Sequence, residues 1–226
     1  MPTTTKTVVY AATRNLYRQV LPCINSVIQN GNVDEIILLI EDNHFQFDDL
    51  PIQTINVSKQ PWFNPKGVNF NSRWTYMVMM KVALSKILYT KEKALLLDCD
   101  TIVEHDLSPL WDIDMTDYYF GAVKQKDDGR GGAFTKGDYF NTGVLMCNLA
   151  KLRDGMDDTL IYRLNTHYYQ YVEQDCISQE CEGKIYPLPG RWNTCEFNGK
   201  DSERYIIHFA AQPNWRNTEL GRKYDL

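Results

Sequence analysis

The sequence predicts an α/β protein with an open, mainly parallel central sheet covered by helices on both faces. Three observations carry that prediction. The runs Glu35-Ile36-Ile37-Leu38-Leu39-Ile40 and Ala94-Leu95-Leu96-Leu97 are apolar almost without interruption, as strands buried on both faces must be. The chain opens on a β-α unit. Strand and helix patterns then alternate, which is the order that crossover helices impose on a parallel sheet.

In chain order, the residues from Thr7 to Ala12 are short and β-rich, and an amphipathic stretch from Tyr17 to Gln29 follows, stopped by Asn30-Gly31-Asn32. Glu35 to Ile40 gives a second strand and Thr54 to Val57 a third. Lys59 to Ser72 is rich in Asn, Pro and Gly and carries Trp62 and Phe63, so it reads as a loop placed to cover a site. Thr75 to Leu88 is apolar on most faces and predicts a packed helix with Met77, Met79 and Met80 in the core. Arg73, Met77, Lys81 and Ser85 nevertheless recur along one stripe, which sets the cation of Lys81 into an apolar helix. Ala94 to Leu97 is a buried strand, with Asp98 and Asp100 just past its end. Tyr118 to Lys124 and Val144 to Cys147 predict strands flanking a Gly-rich loop from Lys126 to Asp138, and Asp157 to Val172 predicts a helix. The remainder is short elements broken by Pro187, Pro189 and Pro213. Neither a repeat nor a linker divides the chain, so residues 1–226 read as one domain with ligands expected outside the carboxyl ends of its strands.

Bulk properties bound the partners. A chain of 226 residues with 43% hydrophobic content buries one sizeable core. A net charge of −5, from 24 Lys and Arg against 29 Asp and Glu, leaves no basic surplus for a nucleic-acid backbone. Met1 to Lys6 leads into a strand without a signal-peptide apolar region, and no apolar run approaches membrane-span length, so a cytoplasmic protein without a transmembrane segment is expected. The six cysteines are scattered without C-x-x-C spacing and read as free thiols.

The chemistry centres on Asp98-Cys99-Asp100. Spelling alone says little, because Asp112-Ile113-Asp114 repeats it with no apolar strand before it. Context separates the two. Four apolar residues deliver Asp98 and Asp100 to a strand's carboxyl end, where two hard oxygen ligands can share Mg²⁺ or Mn²⁺ with a diphosphate. From the residues alone an acidic turn is an equal alternative.

Further motifs shift that balance. Leu95-Leu96-Leu97-Asp98-Cys99-Asp100-Thr101-Ile102-Val103, the segment Asp106-Leu107-Ser108-Pro109-Leu110-Trp111, Phe140-Asn141-Thr142-Gly143 with Asn148 beyond it, Glu173-Gln174-Asp175, Pro189-Gly190-Arg191-Trp192-Asn193 and Ile206-Ile207-His208-Phe209 occur in one order. Together they resemble the glycosyltransferase family 8 group, which includes glycogenin and bacterial lipopolysaccharide galactosyltransferases. The resemblance implies a GT-A, Rossmann-like fold and a metal-dependent retaining hexosyltransferase with Mn²⁺ or Mg²⁺ and a UDP-sugar donor. It implies metal ligation by Asp98, Asp100 and His208. Donor contacts fall on Ala11, Ala12 and Thr13 after the first strand, on Lys81, on Asp98-Cys99-Asp100 and on Gly143. Asn141, Gln174 and Asp175 fall at the sugar, as the candidate catalytic set. The acceptor, a glycan or a protein, is not legible.

One departure stands out. The family usually follows its histidine with Gly at the third position and then Lys-Pro-Trp, whereas here Ala211 and Gln212-Pro213-Asn214-Trp215 follow. The missing lysine leaves the leaving-group charge to Arg216, Lys81 or the metal. It also keeps alive a catalytically degenerate sugar- or nucleotide-binding module as an alternative. A sugar-nucleotide pyrophosphorylase ranks lower, since Ala11 to Asn15 holds one Arg and no Gly where a triphosphate loop would need several.

Overall fold

A computed structural model describes residues 5–43, 45–47, 50–126, 138–198 and 201–225. Among the described residues nine strands form two sheets: β1 (Thr7–Ala11), β2 (Glu35–Ile40), β3 (Ile52–Asn56), β4 (Lys93–Leu97), β5 (Thr101–Val103), β6 (Phe120–Lys124), β7 (Phe140–Asn148), β8 (Ile185–Leu188) and β9 (Ile206–His208). The large sheet has seven strands in the order β3-β2-β1-β4-β7-β6-β8, and β5 pairs with β9 apart from it. Pairing is parallel from β3 to β4 and between β6 and β8; β7 runs antiparallel to both its neighbours. The mainly parallel α/β sheet expected from the sequence is the one found.

Period-two alternation explains the two core layers. Val9, Ile37, Leu39 and Leu96 point to one face and pack with α2 (Met80–Ile87), α3 (Leu149–Leu152), α4 (Met156–Thr166) and α5 (Val172–Glu180). Their neighbours Val8, Tyr10, Ile36, Leu38, Leu95 and Leu97 point to the other, against α1 (Leu21–Asn30), β5, β9 and Tyr224 just past α6 (Glu219–Lys223). Both faces of the central strands are covered, which is why they show no polar alternation. Met77, Met79 and Met80 are core residues as expected. All six cysteines are free. Among the described residues no helix is long and apolar enough to cross a membrane.

Two helices differ from the sequence expectation. The segment predicted as one helix over Thr75 to Leu88 starts as a 3₁₀ turn (Tyr76–Met79), because Thr75 takes a left-handed φ of 62° and its hydroxyl accepts from the Met77 N–H. The helix predicted over Asp157 to Val172 stops at Thr166, the end of α4, and α5 begins only at Val172. At the end of α4 the Asn69 amide donates to the carbonyls of Leu164 and His167 (both 2.7 Å), and the backbone turns extended at His167. Those terminal carbonyls are satisfied by a residue about a hundred positions away, which no local pattern encodes. The expected Gly-rich loop lies, over 127–137, outside the described residues.

Candidate active site

β4 ends at Leu97 and feeds Asp98, whose N–H donates to the carbonyl of Gly143 on β7 (2.8 Å). β5 then starts at Thr101 and pairs with β9 in the register Thr101↔His208, while the Phe209 N–H donates to the Asp100 carbonyl (2.9 Å). This register brings the imidazole to the carboxylates. His208 Nε2 stands 3.3 Å from Asp100 Oδ1 and 3.9 Å from Asp98 Oδ2, and one ligand atom from each of the three residues falls within 4.8 Å of the others. The imidazole is 5% exposed and the two aspartates about a third. Gly143 makes this approach possible: a Cβ there would lie 2.1 Å from His208 Cε1, so no other residue fits.

Electrostatics lock the trio. Burial raises the Asp100 carboxyl pKa, but the facing His208 outweighs it and holds the group below the usual carboxylate range. Burial lowers the His208 pKa, and the charges of Asp100 and then Asp98 raise it above the ordinary imidazole value. Two carboxylates and one imidazole form a donor set that could hold a divalent cation.

A cleft of about 270 Å³ opens on this trio. Of the residues singled out by sequence, Lys81, Asn141 and Gln174 line it together with Asp98, Asp100 and His208; Ala11, Ala12, Thr13, Cys99, Gly143 and Asp175 do not. Cys99 contacts the Ala11 carbonyl through its thiol (3.4 Å) and ties the acidic loop to the end of β1. Burial, then the charges of Asp98 and Asp100, push that thiol far above its usual pKa, so it stays neutral. Asp175 is 4% exposed and accepts from the Tyr139 hydroxyl (2.7 Å) and the Tyr171 N–H (3.0 Å) at the start of α5. Gln174 accepts from the Thr142 N–H (3.1 Å) and donates to the Tyr139 hydroxyl (2.9 Å).

Lys81 has partners other than the phosphates its position suggested. Its ammonium donates to Asp98 Oδ1 (2.8 Å), Glu173 Oε1 (2.9 Å) and the Thr142 carbonyl (3.1 Å), which occupies all three of its protons. Burial lowers its pKa, but the two carboxylates win and hold it above the usual lysine value. Glu173 shifts the other way, upward by burial against the pull of Lys81. Arg216 is likewise engaged, with Asp225 (2.6 and 2.7 Å). Among the described residues, Arg73 is the cation lining the cleft that has no acidic partner; its guanidinium lies over Trp74 (4.4 Å) and Tyr171 (6.0 Å). Ala211, at the position where a glycine was expected, takes a glycine-like φ of 59°, so the turn survives the substitution at a cost of about 1–2 kcal/mol.

Sequence reasoning missed Glu173, Thr142, Gln125 and Asn193 as parts of the site. Glu173 opens the quoted Glu-Gln-Asp triplet, and a lysine buried in an apolar helix signals that an acid must lie opposite.

An α/β sheet carrying Asp-x-Asp and a histidine at its strand ends is the GT-A glycosyltransferase fold. The galactosyltransferase LgtC, solved with donor and acceptor sugar analogues, superposes with a TM-score of 0.72 at 20% identity over 96% of both chains. The chain belongs to glycosyl transferase family 8, whose sequence model matches residues 7–214. A Haemophilus influenzae protein described as a glycosyltransferase is 31% identical over 57% of this chain and 41% of its own length. Glycosyltransferase GlyD of Streptococcus pneumoniae is 27% identical over 98% of this chain and 24% of its own. This chain therefore spans less than half of either relative.

Proposed function

We propose that this chain is a single catalytic domain that transfers a hexose from a UDP-sugar to a glycan or protein acceptor, with retention at the anomeric carbon and with Mn²⁺ or Mg²⁺. The observation that carries this reading is the convergence of Asp98, Asp100 and His208 within 4.8 Å on one cleft. Asp98 and Asp100 would hold the metal through oxygen and His208 through Nε2. The bound ion would supply positive charge to a diphosphate leaving group. Lys81 holds the Asp98 carboxylate in place through its ammonium. Arg73, without an acidic partner among the described residues, fits the role of the missing lysine by donating to the diphosphate. Asn141 and Gln174 face the same cleft with amides suited to sugar hydroxyls, and Trp74 and Tyr171 offer aromatic faces to an acceptor ring. Free thiols throughout the chain fit a reducing, cytoplasmic setting.

The test is a thermal-shift panel of nucleotide sugars and nucleoside diphosphates, each with and without Mn²⁺, because a ligand of the native state raises Tm. A metal-dependent rise for uridine compounds, followed by slow release of the free sugar, is the expected result. Metal-independent binding without sugar release would favour the degenerate module, and no rise for any compound would refute a donor site.

A further inference from the structure

His208 is the buried end of a hydrogen-bond relay that passes through Asn193, outside the cleft lining, and returns to the cleft wall at Asn141 and Gln125. Its Nδ1 faces Asn193 Oδ1 at 3.0 Å. The Asn193 amide nitrogen donates to Asn141 Oδ1 (2.8 Å), the Asn141 nitrogen donates to Gln125 Oε1 (3.2 Å), and the Asn198 nitrogen donates to the Asn193 carbonyl (2.6 Å). Asn193 is fully buried, Asn141 is 5% exposed and Gln125 6%.

The polarity of the relay is fixed by one backbone group. The N–H of Gly143 points at Asn141 Oδ1 (3.0 Å), and a backbone N–H can only donate. That atom must therefore be the oxygen of Asn141. Whatever Asn193 presents to it must be a donor, its NH₂ end. The oxygen of Asn193 then faces His208, and an oxygen there demands a proton on Nδ1. The lone pair of the neutral ring is left on Nε2, the nitrogen that faces Asp100 and Asp98.

We infer that Asn193 is a positioning residue that holds His208 in the Nδ1–H form, with Nε2 turned to the carboxylates as a ready metal ligand. Gly143 acts twice in this device: its N–H sets the sense of the relay, and its missing side chain leaves the space that the ring occupies. Asn141 thereby belongs at least in part to the scaffold behind the histidine. The inference rests on the metal reading above for its purpose, but the relay itself can be tested without metal.

Two-bond ¹H–¹⁵N correlation spectra of the metal-free 226-residue chain above the titration of the histidine should show His208 protonated at Nδ1. Asn193→Leu, of similar volume and without either polar end, should populate the Nε2–H form and weaken Mn²⁺ binding, followed by the loss of its free EPR signal, about 10- to 100-fold. Asn193→Asp keeps an oxygen toward Nδ1 but loses the donor to Asn141 Oδ1, so it should keep the Nδ1–H form while recovering only part of the affinity lost in Asn193→Leu. An Nε2–H form in the unsubstituted protein would overturn the inference, whether or not the variants fold. So would unchanged tautomer and Mn²⁺ affinity in a folded Asn193→Leu protein. Failure of the unsubstituted protein to bind Mn²⁺, with Nδ1–H observed, would instead strike the metal reading and leave the relay standing.

Discussion

The chain spells Asp-x-Asp twice, and the two copies sit at opposite ends of one strand. Asp98 and Asp100 follow the carboxyl end of β4, whereas the backbone of Asp112-Ile113-Asp114 is held at its amino end, where the Lys93 ammonium donates to the carbonyls of Trp111 (3.2 Å) and Ile113 (2.9 Å). The first pair faces a buried imidazole and a buried ammonium. In the second, Asp112 and Asp114 are exposed, and Asp114 accepts from the Thr116 N–H and hydroxyl (2.9 and 2.6 Å), closing a turn. The same carboxylates form a candidate metal site in one place and a turn cap in the other because a second sheet reaches only the first. What distinguishes them is convergence of distant backbone, not the motif.

The sharpest way to break this comparison is to remove each pair. Asp100→Ala should abolish Mn²⁺ binding and metal-dependent sugar release while leaving the far-ultraviolet circular dichroism unchanged, and Asp112→Ala/Asp114→Ala should leave both at the starting level. Retained Mn²⁺ affinity in the first variant would reduce the two motifs to equals. A smaller effect is expected from the cation behind the first pair. Lys81→Met leaves Glu173 buried and Asp98 half-covered without a counter-charge, and should cost about 3 kcal/mol in urea unfolding, at the low end for a broken buried pair because Asp98 keeps some water. Adding Glu173→Leu should recover part of that loss; a second, additive loss would show that the two residues do not act as a pair.

The smallest effect belongs to the second motif. The Thr116 hydroxyl, then its N–H, hold the Asp114 carboxyl below its ordinary pKa. A folded pKa below the unfolded one means stabilisation that is complete above about pH 4 and fades as pH falls through the folded value. Asp114→Asn should therefore lose a little thermal stability at neutral pH and show a flatter decline of Tm below about pH 4 than the starting protein. Parallel curves for the two proteins would contradict the capping role.

How much of this was legible follows from what local sequence can encode. The central strands were plain, since burial on both faces leaves continuous apolar runs such as Ile36 to Ile40. Asp98, Asp100 and His208 were found through ordered motifs, and the structure brings them together. Lys81 was visible as an anomaly, a cation in an apolar helix, but its partners were not: Asp98, Thr142 and Glu173 come from separate elements. Asn193 and Gln125 were invisible as a pair with Asn141, because amides identify their partners only once the chain has folded. The split between α4 and α5 was missed for the same reason, since Asn69 terminates α4 from outside.

The pairing of β5 with β9 joins Thr101 to His208 across about a hundred residues of chain. Closing so long a loop is entropically unfavourable until many other contacts exist, and such pairings form late. During synthesis both aspartates leave the ribosome about a hundred residues before the histidine. A site that needs all three side chains would exist only once β5 and β9 have paired, so affinity for a divalent cation would report whether these distant segments have met.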